Sequence, residues 1–140
     1  MRALAFIVLT VPLLALGDEP KKEDKERLKG TWLVLSCKVG ARSIDVPADP
    51  MDTWTFEKDQ VVNTHDGKKA EKPWTFAIDP KAEPKTIDLS LDGKVVYQGI
   101  YEIDGQRLKV CYNKKTRPTR LDPEEAAKPP YNVLFEFEKK

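Results

Sequence analysis

One histidine and two cysteines are all that the 140 residues offer as soft metal ligands or strong nucleophiles. A zinc-type site wants three or four converging ligands, usually paired at fixed spacing. His65 stands alone beside Asn63 and Asp66 and reads as an exposed turn histidine, so no metal and no cofactor is expected. Two cysteines are also too few for a disulfide-built scaffold, which leaves the domain to rest on its apolar core. A basic excess is missing as well. The formal net charge is +1, and without Arg2 the basic residues number 23 against 23 acidic ones. Nucleic-acid binders carry a basic patch or stripe. Here the signs alternate as on an ordinary solvated face, and no nucleic-acid partner is expected.

Carboxylates are plentiful, yet none forms an obvious working pair. Asp59, Asp66, Asp92 and Asp104 fall at expected turns, Asp79 and Asp122 precede prolines, and Asp88 alternates with Ile87 and Leu89. Glycosidase-type chemistry needs two carboxyl groups facing across a cleft. With no catalytic constellation, the chain is expected not to be an enzyme.

Only one long apolar run occurs. Residues 3–16 are apolar apart from Thr10 and Pro12; Arg2 precedes them, and Ala15-Leu16-Gly17 leads into Asp18-Glu19. This is the pattern of a secretory signal peptide, and it is shorter than the roughly 20 residues of a membrane-spanning helix. The expectation is a signal over 1–17 and one exported domain over 18–140, periplasmic, cell-surface or extracellular, with no integral membrane span after cleavage. The mature chain of about 120 residues suits one domain rather than two.

What the sequence does have is period-two alternation. "DTWTFE", "PWTFAID", "TIDLSLDG" and "VLFEFEK" each place apolar side chains on one face and polar ones on the other, as half-buried strands do. Asp66-Gly67, Asp92-Gly93 and Asp104-Gly105 lie between such runs, and Asp-Gly suits two-residue hairpin turns that need positive φ. About eight strands are expected, over 31–39, 53–57, 60–65, 73–78, 86–91, 94–103, 107–113 and 132–139. A short charged helix over 21–29, anchored by Leu28 alone, precedes them. Such a meander predicts an all-β up-and-down barrel, because closure removes exposed edges. Two proline-bearing stretches, 40–52 and 114–131, are expected as long loops at the barrel ends.

The residues also carry a resemblance. "LKGTW" resembles the Gly-x-Trp opening of lipocalin-like barrels, in which the tryptophan plugs one end. "PKTIDLSLDGK", "GIYEIDGQRLKVCYN" and "RPT", in that order, resemble a family of small uncharacterised exported domains expanded in planctomycete bacteria. The resemblance spans Leu28 to about Phe137. It implies a lipocalin-like barrel and no stated activity. Cys111 matches that family's cysteine and Cys37 does not.

The candidate residues follow. Alternation turns Cys37 outward with Leu33 and Leu35, and Cys111 outward with Lys109. A Cys37–Cys111 disulfide is open to an exported protein, but it requires Cα atoms within about 7 Å. The last strand of a closed meander would lie between the two. Mid-strand placement without a base argues against a nucleophilic role for Cys111. Trp32, Trp54, Phe56, Trp74, Phe76, Tyr97, Tyr101, Phe135 and Phe137 fall on inward positions. An eight-stranded barrel is either filled by such side chains or holds one small ligand. Trp54, Trp74, Phe76 and Tyr101 are the candidate lining, and Arg117 is the candidate polar orienter. Arg117 also fits an anchoring role, tying its loop to the barrel through a carboxylate. Two functions fit: binding of a small apolar or amphipathic molecule in the barrel mouth, or a filled structural or protein-interaction module at the cell surface.

Overall fold

The computed structural model describes residues 23–140; the expected signal segment lies outside them. A single turn of helix, α1 (Asp24–Leu28), leads into ten strands: β1 (Gly30–Val39), β2 (Arg42–Ile44), β3 (Thr53–Glu57), β4 (Gln60–His65), β5 (Lys68–Lys69), β6 (Trp74–Asp79), β7 (Thr86–Leu91), β8 (Lys94–Asp104), β9 (Arg107–Asn113) and β10 (Val133–Lys139). Each long strand pairs antiparallel with its sequence neighbour, and β10 returns to pair with β1. The result is the expected closed eight-stranded up-and-down barrel. The two additional strands are short: β2 extends the β1 hairpin and β5 folds back on β4.

Local chemistry explains most of the turns. Asp66-Gly67 (φ 53° and 78°) and Asp92-Gly93 (φ 51° and 81°) both adopt the two positive φ values of a type I′ turn. The third Asp-Gly differs from expectation. Asp104 pairs with Arg107 as the last residue of β8, so the turn is Gly105-Gln106, with only Gly105 positive (φ 60°). Glycine at the first turn position alone is the type II′ solution.

The barrel has unlike ends. At the lower end lie α1, the 57–60 turn and the chain's last residues. Leu28, Trp32, Phe56, Leu108 and Phe137 are at most 1% exposed there. Fully burying a side chain such as Leu28 contributes about 1.5–3 kcal/mol, which docks a helix too short to stand alone. At the upper end the walls are less continuous, since β4 and β6 share only two residue pairs, Gln60 with Thr75 and Val61 with Trp74. Trp74, Tyr97, Val133 and Phe135 are only partly buried here, packed on the core.

A second, smaller core lies outside the barrel wall. Ile100, Cys111 and Leu134 form it, with Leu121 of the 114–132 loop over them. That loop therefore folds down over the outer wall rather than staying at the barrel end. Gly99 makes this region possible. A Cβ there would sit 2.8 Å from the Cys111 carbonyl oxygen, closer than real side chains approach, and tight against Ile87 Cγ2 at 3.2 Å.

Candidate functional site: the upper mouth of the barrel

The two ends treat their aromatic polar atoms in opposite ways. At the lower end every one is partnered. Trp32 Nε1 donates to the Leu28 carbonyl at 2.7 Å, and the Lys139 ammonium lies 4.8 Å from the Trp32 ring centroid. The Tyr101 hydroxyl donates to Asp24 Oδ2 at 2.7 Å. Lys85 Nζ donates to the same oxygen at 2.9 Å, and Arg27 reaches Asp24 Oδ1 at 3.1 Å. Burial works to raise the Asp24 pKa, but the hydrogen bonds from Tyr101 and Lys85 and the charges of Lys85 and Arg27 outweigh it. The carboxyl is held below its ordinary range. Burial first, and Asp24 second, push Tyr101 far up. This cluster locks α1 to the barrel floor.

At the upper end four rings from four strands form a closed circuit. Trp54 of β3 meets Trp74 of β6 edge-on at 5.5 Å, and Trp74 meets Tyr97 of β8 at 5.6 Å. Tyr97 meets Tyr112 of β9 at 4.5 Å, and Tyr112 returns to Trp54 at 6.5 Å. Phe135 supports the circuit, 5.1 Å from Trp54 and stacked on Tyr112 at 6.1 Å. None of the two indole N–H groups and two phenol hydroxyls has a hydrogen-bond partner among the described residues. Buried tryptophan and tyrosine usually find one. The only fully occluded side-chain polar atom without a hydrogen bond among the described residues is Asp88 Oδ1. None of the four ring donors is therefore fully occluded, although Trp54 is only 3% and Tyr112 only 8% exposed.

The sequence candidates do not converge. Trp54 and Trp74 are together in the circuit. Phe76 lies lower, edge-on to Phe56 at 5.1 Å, beside a small cleft of about 170 Å³ under α1. Tyr101 is committed to Asp24 on the floor. Arg117 is on the outer wall, 2.7 Å from Asp88 Oδ1 as a charge pair, and donates from its NH1 nitrogen to the Gly99 carbonyl at 2.8 Å. It anchors the loop and is not an orienter at the mouth. Its neighbours join in: Pro118 is buried, and the Thr119 backbone and hydroxyl both donate to Glu125. Tyr112, the most buried hydroxyl of the circuit, was not among the candidates. The alternation Leu108, Val110, Tyr112 in "RLKVCYN" carried the signal.

The cysteines also differ from expectation. A register shift between Val34 and Ser36 re-phases β1, so Cys37 stands opposite Phe135 and shares the inner face. Cys111 does face outward, opposite Leu134, but the loop covers it completely. With β10 between their strands and the wall between their side chains, both thiols are free. Burial pushes the Cys111 thiol up to about 12 and raises that of Cys37, the reverse of what a nucleophile needs.

His65 is exposed, as expected, and its Nδ1 lies 2.7 Å from Asp52 Oδ2. Among the described residues no group of three or more histidine, cysteine or carboxylate side chains is placed to hold a metal, and no helix is long and apolar enough to cross a membrane. Comparison with known proteins finds no matching family model, no matching curated sequence and no matching solved structure, so the site rests on its own geometry.

Proposed function

We propose that this chain is an exported, non-catalytic barrel that holds a small amphipathic molecule at its upper mouth. The observation that carries the reading is the contrast between ends: ring donors all satisfied below, all unpartnered and open above. Below the circuit the barrel is filled, with Trp54 against Phe56 and Phe137 at 6.2 and 5.0 Å. The ligand therefore sits on the circuit and not deep in the barrel. Ring faces would take its apolar surface and the ring edges its polar atoms. Export rests on the N-terminal pattern of Arg2, the apolar run and Ala15-Leu16-Gly17. The ordered motifs that resemble the planctomycete family agree with an exported lipocalin-like domain.

Intrinsic tryptophan emission during a titration with small lipophiles tests the reading. Saturable change in the wild type, lost in Trp74→Phe, is expected. Emission indifferent to every lipophile would refute it. Export is tested by N-terminal sequencing of the secreted chain, which is expected to begin near Asp18; retention of Met1 would refute that part.

A second reading, a module acting through its outer surface, is favoured by one observation. A groove of about 440 Å³ runs between the β1–β2 hairpin and the long loop, lined by Val39, Ala41, Ala126, Ala127 and the exposed Tyr131.

A further inference from the structure

Tyr112 sets the chemistry of whatever occupies the mouth. Its side chain is more than nine-tenths buried, and its hydroxyl has no partner among the described residues. The hydroxyl is not fully occluded, so a body that covers it strands it at a cost unless that body supplies a matching acceptor. The other unpartnered groups of the circuit are Trp54 Nε1, Trp74 Nε1 and the Tyr97 hydroxyl. Two of the four can only donate, because an indole N–H has no acceptor capacity. The bound molecule must therefore bring acceptors.

Charge narrows the class further. Tyr112 is surrounded by the rings of Tyr97, Trp54 and Phe135, and among the described residues the cations seated over rings, Lys85 on Tyr101 and Lys139 on Trp32, are both at the lower end. No cation over the circuit would compensate a carboxylate or phosphate, and burying an unpaired anion is costly. The nearest strands supply aromatic faces instead, with Tyr97 and Tyr112 tilted at 4.5 Å and Trp54 and Trp74 edge-on at 5.5 Å. Such surfaces favour flat apolar bodies.

We infer that the upper mouth, as the ligand site proposed above, selects a neutral, flat molecule bearing a carbonyl-type acceptor, received by the Tyr112 hydroxyl and the indole N–H groups of Trp54 and Trp74. The inference rests on the reading of the mouth as a ligand site, and one experiment separates the two. Full-length mature protein labelled with nitrogen-15 is titrated with coumarin, naphthalene and 2-naphthoate, following the three indole resonances. The probes are of similar size and shape; the first carries a neutral carbonyl, the second no acceptor and the third a charge. Coumarin is expected to shift Trp54 and Trp74, to leave Trp32 unmoved, and to bind about tenfold more tightly than naphthalene, the scale of one or two recovered hydrogen bonds. Tyr112→Phe removes only the hydroxyl and should narrow that ratio while naphthalene binding holds; the Trp32 resonance reports that the variant is folded. Equal binding of coumarin and naphthalene by the wild type overturns the inference while keeping the mouth as a site, and so does tightest binding of 2-naphthoate. If no probe moves Trp54 or Trp74, the mouth holds water only and both readings fall.

Discussion

Asp24 is a carboxylate taken out of water, 7% exposed, with three donors around it: Tyr101, Lys85 and Arg27. Removing its charge weakens all three bonds, but Arg27 and Lys85 are about one-third exposed and can turn to water, so the cost is about 1.5–3 kcal/mol, that of a charge-assisted hydrogen bond. Asp24→Asn is expected to lower stability on that scale in urea unfolding. Tyr101→Phe, which deletes one charge-assisted hydrogen bond, should cost about 1.5–3 kcal/mol. Because the Asp24 pKa is depressed on folding, its contribution is complete above the ordinary aspartate value of about 3.9 and is lost as pH falls through the lower folded value. The acid limb of the stability profile should therefore flatten in Asp24→Asn. His65 behaves in the opposite sense. Its hydrogen bond to Asp52, then the Asp52 charge, raise its pKa. That contribution is present below about 6.5 and fades as pH rises through the raised value. An imidazole titration by NMR should show the raised value in the wild type and a return toward the ordinary one in Asp52→Asn. An unchanged titration would show that Asp52 is not the cause. Asp24 was not legible in the sequence, where α1 showed only Leu28 as an anchor. Its partners Tyr101 and Lys85 are 77 and 61 residues away, and only the fold brings them together.

The strands were legible because their signals are local. Period two and Asp-Gly turns operate within a few residues, and β3, β4, β7 and β9 have the bounds their alternation predicts. The inward face of Cys37 was not legible, because the register shift in β1 is set by β10, about a hundred residues on. The loop of residues 114–131 was legible as a loop but not as a cover. Its form depends on Asn113 and Asn132, 4% and 2% exposed. Asn113 Nδ2 donates to Asn132 Oδ1 at 3.0 Å and to the Pro130 carbonyl at 2.9 Å. Asn132 Nδ2 in turn donates to Glu125 at 3.2 Å. Arg117 closes the loop against Asp88 and Gly99. Arg117→Ala is therefore expected to make the segment at 114–131 susceptible to limited proteolysis while the barrel's circular dichroism is retained. Unchanged cleavage would deny Arg117 its anchoring role.

For the whole molecule, the closed wall separates an inner core from an outer one and places one thiol on each side. The protein, unfolded without reductant, should titrate as two thiols, and the folded protein should react slowly at both, Cys111 most slowly. A single disulfide found by mass would contradict the separation. The wall also gives the barrel its polarity, sealed by Trp32 below and opening on four unpartnered ring donors above. Indole hydrogen exchange tests this most directly, because the three tryptophans report on both ends in one spectrum. The Trp32 Nε1 proton, bonded to the Leu28 carbonyl in a sealed floor, should be strongly protected, while those of Trp54 and Trp74 exchange quickly. If Trp54 and Trp74 are protected as strongly as Trp32, the mouth is closed and the account of this barrel as a receiving end is wrong.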